Sequence, residues 1–155
     1  MPVYRSSIAP YLDYGIEIWD GAYKNATEKV FVVQKKAIRC TFNLTYNEHT
    51  TQFFKAFGVL KLKDIYYLKL ACIMFKTLNF GSYPFLSVRL QTNAAIHSHA
   101  TRNSNMLRLP FYSRTKSHQS FLYQGIKIWN SLTDKNFNSA GAFRRSLISE
   151  FISKY

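Results

Sequence analysis

The sequence predicts a mainly α fold: a helical bundle, a small irregular or β basic segment, and a C-terminal helix. Three observations carry this reading. Apolar residues recur at helical spacing through residues 30–40, 65–78 and 143–151. Asn or Gly stands where the first two runs stop. Residues 87–120, in contrast, are polar, basic and nearly without helical period.

Taken in order, residues 6–19 begin with cap-type serines and carry Ile8, Leu12, Ile16 and Trp19, which suits a short helix. Asp20-Gly21 breaks it. The segment from Tyr23 to Phe42 reads as a longer helix: Val30, Val33, Ala37 and Cys40 form an apolar side, widened by Phe31, Ile38 and Phe42. Gln34, Lys35, Lys36 and Arg39 fall largely on another face, and Asn43 is the stop. A short helix over Thr51 to Phe57 ends at Gly58. The next runs from Leu60–Asp64 to Leu78 with Ile65, Leu68, Cys72 and Phe75 at helical spacing, and Gly81 closes it.

Composition changes at Gly81-Ser82-Tyr83-Pro84, which suggests a division into residues 1–82, helical, and 83–155, a basic C-terminal extension within one compact unit. Leu107-Arg108-Leu109 and Ser120-Phe121-Leu122-Tyr123 are candidates for short strands, with Gln124-Gly125 as a break after the second. Ile126, Ile128, Trp129 and Leu132 suggest a short helix. Ser139 is the cap of a last helix holding Phe143, Leu147 and Phe151. Hydrophobic residues make up 47% of the chain and aromatics 17%, enough for a core, so general disorder is excluded.

Charge gives the first functional clue. The 155 residues hold 21 Lys and Arg against 8 Asp and Glu, a formal net charge of +13. Such an excess repels itself unless an anionic partner neutralises it. Nucleic acid is the commonest such partner, and an anionic membrane the next. The excess is uneven. Between Asp64 and Asp134 no acid occurs, while Lys69, Lys76, Arg89, Arg102, Arg108, Arg114, Lys116 and Lys127 do. Phosphate contact favours such a stretch, because a carboxylate there would repel the backbone.

Catalytic chemistry is hard to find. Asp13, Asp20, Asp64 and Asp134 are scattered, so no paired carboxylates suit two-metal phosphoryl transfer. There is no glycine-rich phosphate loop and no zinc-ligand spacing, and no cofactor or metal is expected. Cys40 and Cys72 read as core residues of a reducing compartment. His97, His99 and His118 are the one cluster that would permit acid–base cleavage of RNA. No segment has a secretion signal or the length of a membrane span, so the chain reads as intracellular (nucleus or cytoplasm).

Several segments carry a resemblance. Pro10–Trp19, PYLDYGIEIW, resembles the P-x-L-x-Y-G-x-x-x-W segment that follows the polymerase core in reverse transcriptases of non-LTR retrotransposons (LINE-like, jockey-type). Val33–Arg39, VQKKAIR, is similar to that family's LQKKAIR helix. Thr101–Pro110, TRNSNMLRLP, is similar to its TRSSxNLRLP stretch. Tyr123–Leu132, YQGIKIWNSL, looks like its YxGPxLWNSLP, and Phe143–Leu147, FRRSL, like its closing FKKxL helix. The five follow the family's order and span nearly the whole chain. Ile126 stands where the family often has Pro, Thr133 replaces the Pro after Leu132, and Asp20 interrupts a Trp-Gly pair.

The resemblance implies a thumb-like helical part and a C-terminal extension lying after the palm, hence a non-catalytic fragment of an RNA-directed DNA polymerase. Its implied partners are RNA or DNA, and the upstream polymerase core; no membrane is implied. Charge and resemblance together nominate Lys35, Lys36, Arg39, Arg102, Arg108, Arg114, Lys116 and Lys127 as phosphate contacts. Two other readings remain open: a basic scaffold module docking on an acidic protein, and a small ribonuclease using its histidines. Trp19 and Trp129 are expected to pack in the core rather than to stack on bases.

Overall fold

The computed structural model describes residues 2–19, 24–96 and 102–155, and for Lys24, Asn25, Thr115 and Lys116 the backbone alone. The described chain is mainly helical with almost no strand, as its periodicity predicts. The helices are α1 (Pro2–Ser7), α2 (Ala9–Asp13), α3 (Ile16–Trp19), α4 (Lys24–Phe42), α5 (Thr51–Ala56), α6 (Leu62–Phe80), α7 (Pro84–Ser87), α8 (Phe121–Ser131) and α9 (Ala140–Ser153). The stops read from sequence are conformational: Asn43, Gly58 and Gly81 all take positive φ. No helix among the described residues is long and apolar enough to cross a membrane.

Two compact units divide at positions within α6 and α9. The first comprises Met1–Lys69 and Arg144–Tyr155, and the second Leu70–Phe143. The compositional change at Gly81 therefore lies inside the second unit.

In the first unit, residues 2–19 form three short helices, where the sequence suggested one over residues 6–19. Pro10 opens α2, and Gly15 sits at φ 61° beyond its end, a conformation that costs a residue with a Cβ. The chain turns there, and the Trp19 indole N–H donates to the Tyr14 carbonyl at 3.0 Å. Tyr4, Leu12 and Ile16 face the core.

The buried side of α4 differs from the expected one. Ile38 and Gln34 are wholly buried and Phe31 half-buried, whereas Val33 is 59% exposed and Cys40 is exposed. Gln34 is polar but fully engaged. Its Nε2 donates to Tyr4 Oη and to the Leu60 carbonyl, both at 2.9 Å, and its Oε1 accepts from the Leu62 N–H at 3.0 Å. That last donor opens α6 and has no partner within its own helix. One amide thus joins α1, α4 and the start of α6. Phe42 stacks on Phe57 at 4.2 Å and on Phe53 at 5.5 Å, holding α5 against the end of α4.

The last residue, two positions beyond α9, completes this unit. Tyr155 Oη receives the Lys61 N–H at 2.9 Å and makes a short hydrogen bond to the Asp64 carboxylate, while Lys61 Nζ lies 3.9 Å over the Tyr155 ring. Burial first, and the bond to Asp64 second, push the Tyr155 hydroxyl well above its ordinary pKa. Burial also raises that of Tyr4, opposed by its hydrogen bond with Gln34.

The second unit is built on an aromatic core. Phe75 stacks on Phe143 at 4.4 Å, and Trp129 tilts against both. Trp129 is therefore a core residue, as expected. Leu70, Ala71, Met74 and Ile126 are also buried there.

Two local expectations are corrected. Ser120–Tyr123 is not a strand: Ser120 caps α8, its Oγ accepting from the Tyr123 N–H at 3.4 Å, and the helix continues from Phe121. Gly125 is not a break but a buried helical position. A Cβ there would come within 3.2 Å of Met74 Sδ, so the missing side chain permits the close approach. Leu107 does pair as in a strand, in an isolated antiparallel bridge with Thr92.

Candidate nucleic-acid interface

Acidic residues, rather than net charge, divide unequally between the units. The second holds eight Lys and Arg against one acid, Asp134. That carboxylate turns to its own loop, where it accepts from the Asn136 N–H at 3.1 Å. Among the described residues two ion pairs form, Lys69–Asp13 at 2.9 Å and Lys154–Glu150 at 2.6 Å, both in the first unit. The exposed arginines of the second unit have no carboxylate partner among the described residues.

Backbone pairing places these arginines. Residues 91–94 and 104–108 run antiparallel: the Arg108 N–H donates to Gln91 O at 2.8 Å, Asn93 N–H to Met106 O at 3.0 Å, and Ala94 N–H to Ser104 O at 2.9 Å. The Asn93 amide adds a bond to Asn103 O at 2.9 Å. Asn130 of α8 fixes the hairpin from outside. Its Oδ1 accepts from the Leu107 N–H at 3.0 Å and its Nδ2 donates to Leu107 O at 2.8 Å. Leu107 is buried, so the extended chain turns its neighbour Arg108 outward, where it is exposed. Lys127 is exposed on α8 one turn before Asn130.

Arg102 and Arg114 are also exposed. Arg114 precedes a 3-10 turn at Thr115–Gln119, and an aromatic cluster anchors that region. His118 stacks on Tyr123, with ring centroids 4.7 Å apart and planes 6° apart, and its Nε2 lies 3.2 Å from Tyr112 O. His118 is thus a packed, half-buried residue. His97 and His99 lie outside the described residues, as does the side chain of Lys116. No group of His, Cys, Asp and Glu among the described residues is arranged to hold a metal ion.

The three nominated residues of α4 belong to the first unit. Lys36 is exposed. Lys35 is half-buried with its ammonium 4.9 Å over the Phe31 ring. Arg39 is turned inward: its Nε and Nη2 donate to the Glu48 carbonyl at 3.2 and 3.1 Å, which ties the loop after α4 to the helix. Its donors serve the fold before any ligand.

Two residues of the second unit escaped the sequence-based choice. Arg89, just beyond α7, is exposed in the same acid-poor unit. Asn130 orients the hairpin, and its signal in the sequence is its place in the WNSL part of the Tyr123–Leu132 resemblance rather than any charge. Compared with known proteins, the chain matches no family model, no curated protein and no solved structure.

Proposed function

We propose that this chain is a non-catalytic part of an RNA-directed DNA polymerase of the non-LTR retrotransposon kind, and that it grips template–primer or target nucleic acid through backbone phosphates. The observation that carries this reading is the second unit's surface. Exposed Arg102, Arg108 and Arg114 stand there with Lys127, and among the described residues none of them forms an ion pair. A polyanion neutralises such an excess and gains counterion release on binding. Contacts of this kind position a protein on a backbone without reading sequence, which is a polymerase thumb's task.

The resemblance supplies the polymerase context. Two of its segments are hydrogen-bonded to each other through Leu107 and Asn130, so shared residue types fall where the fold depends on them. The proposed site of action is the nucleus or cytoplasm, and the upstream polymerase core is the proposed protein partner. Catalysis is assigned to that core, because this chain carries no paired aspartates.

The test is a titration of the chain against a mixed-sequence DNA duplex, an RNA–DNA hybrid and a neutral-backbone analogue at several salt concentrations. Binding that weakens steeply with salt, ignores sequence and cleaves nothing supports the proposal. Equal affinity for the neutral analogue overturns it. Primer extension by the isolated chain would overturn the assignment of catalysis to a separate core.

A further inference from the structure

Phe111 is 92% exposed, an unusual position for a ring of that size. Its neighbours hold it there. Upstream, Leu107 is clamped by Asn130, and the Arg108 N–H is bonded to Gln91 O. Downstream, the Tyr112 ring packs 6.1 Å from Tyr123 and 6.4 Å from His118. Phe111 therefore projects from a short span anchored at both ends. Its closest charged neighbours in sequence are Arg108 and Arg114, both exposed, in a unit with a single acid. An apolar partner of ordinary protein composition would bring carboxylates and ammonium groups alike. A nucleic-acid strand brings aromatic rings on a purely anionic backbone, which matches an exposed ring with an exposed arginine three residues away on either side.

We propose that Phe111 is a stacking platform for an unpaired base, with Arg108 and Arg114 holding the flanking phosphates. The inference rests on the nucleic-acid reading above and adds to it a preference for single-stranded or frayed substrate. Every base has a π face, so stacking on Phe111 is tolerant of sequence. A fully paired duplex has no base free to use the ring except at its ends.

The test uses the full chain, a mixed-sequence single strand carrying one 2-aminopurine, and a hairpin-capped duplex without free ends. Phe111→Ala and Phe111→Trp are compared with the parent chain. The expected result is that Phe111→Ala weakens single-strand binding by about tenfold and abolishes the quenching of 2-aminopurine emission. Its log–log salt slope and its affinity for the capped duplex should stay unchanged, and Phe111→Trp should restore both binding and quenching. Because the ring contributes little to the core, far-UV circular dichroism should be the same for all three.

Single-strand binding by Phe111→Ala equal to the parent, with quenching intact, overturns the proposal while leaving the phosphate grip standing. A loss that is equal on single strand and capped duplex also overturns it, since a ring used only on unpaired bases cannot act on both. Failure of the parent chain to bind any nucleic acid removes both readings. Capture of an acidic protein through Phe111 under the same conditions would identify the ring as a protein-docking residue instead.

Discussion

Asn130 binds both backbone groups of Leu107, donating to its carbonyl at 2.8 Å and accepting from its N–H at 3.0 Å. A side-chain amide here does what a neighbouring strand does in a sheet. Leu107 is buried, so each of its polar groups needs a partner. Asn130→Ala is expected to destabilise the fold by about 1–3 kcal/mol, measured by urea denaturation. Asn130→Asp should be nearly as harmful, because a carboxylate cannot donate to the Leu107 carbonyl. A change under about 0.5 kcal/mol in Asn130→Ala would show that the clamp is dispensable.

Gln34 gives the corresponding test in the first unit. Removing its amide leaves Tyr4 Oη, Leu60 O and the Leu62 N–H short of a partner at a buried position. Gln34→Ala should cost at least about 2 kcal/mol. Val33→Ala, one residue earlier and 59% exposed, should stay within about 0.5 kcal/mol of the parent. The reverse order of effects would place the buried face of α4 where the hydrophobic pattern first suggested.

Replacing Arg102, Arg108, Arg114 and Lys116 together by Ala probes the phosphate grip. Each lost contact lowers the log–log salt slope by about 0.7–0.9, so the whole change reaches about 3 units. Affinity should fall alike for all sequences. Titration of the folded variant against a mixed-sequence duplex reads this out. An unchanged slope would move the grip to other cations, with Lys36 of α4 the first to test.

Alkaline pH tests the buried tyrosines. Tyr4 and Tyr155 are both raised above the ordinary value, chiefly by burial. In the unfolded chain a tyrosine ionises near about 10. Below that pH both states hold the proton, and stability does not depend on these groups. Above it the unfolded state loses protons that the folded state keeps, so stability falls as pH rises. Denaturation midpoints should be flat from neutral pH to about pH 9 and drop above about pH 10. Tyr155→Phe, which keeps the ring and removes the ionisable group, should lessen the drop while lowering stability at neutral pH. An identical alkaline profile in Tyr155→Phe would remove Tyr155 from the account.

The long helices were legible because their signals are local. Apolar spacing located α4, α6 and α9, and the residues that can take positive φ, Asn43, Gly58 and Gly81, marked the ends. What failed depended on partners distant in sequence. Hydrophobicity assigned Val33 inward and Gln34 outward on α4. It could not register that Tyr4, Leu60 and Leu62 would bring three hydrogen bonds to one amide. The apolar run at Ser120–Tyr123 suits strand and helix equally, and its serine cap with the space beside Met74 decides for helix. At the candidate interface, charge picked out Arg102, Arg108, Arg114 and Lys127 as exposed cations. It also chose Arg39, whose engagement with Glu48 no pattern of charges reveals.

The first unit is closed by a segment remote in sequence, since Tyr155 bonds Lys61 across 94 positions and Asp64 across 91. Loop-closure entropy grows only with the logarithm of length, so the separation matters little to equilibrium stability. It matters to rate, because distant contacts form late. The second unit is continuous in sequence, and its Phe75–Phe143 stack closes a shorter stretch of chain than the Tyr155 bonds do. The two units are therefore expected to mature in order, the one that carries Arg102, Arg108 and Arg114 first. Contacts made after the folding barrier govern how fast a protein opens rather than how fast it forms. Loss of the Tyr155 bonds should accordingly shorten the lifetime of the folded first unit while leaving its folding rate nearly unchanged.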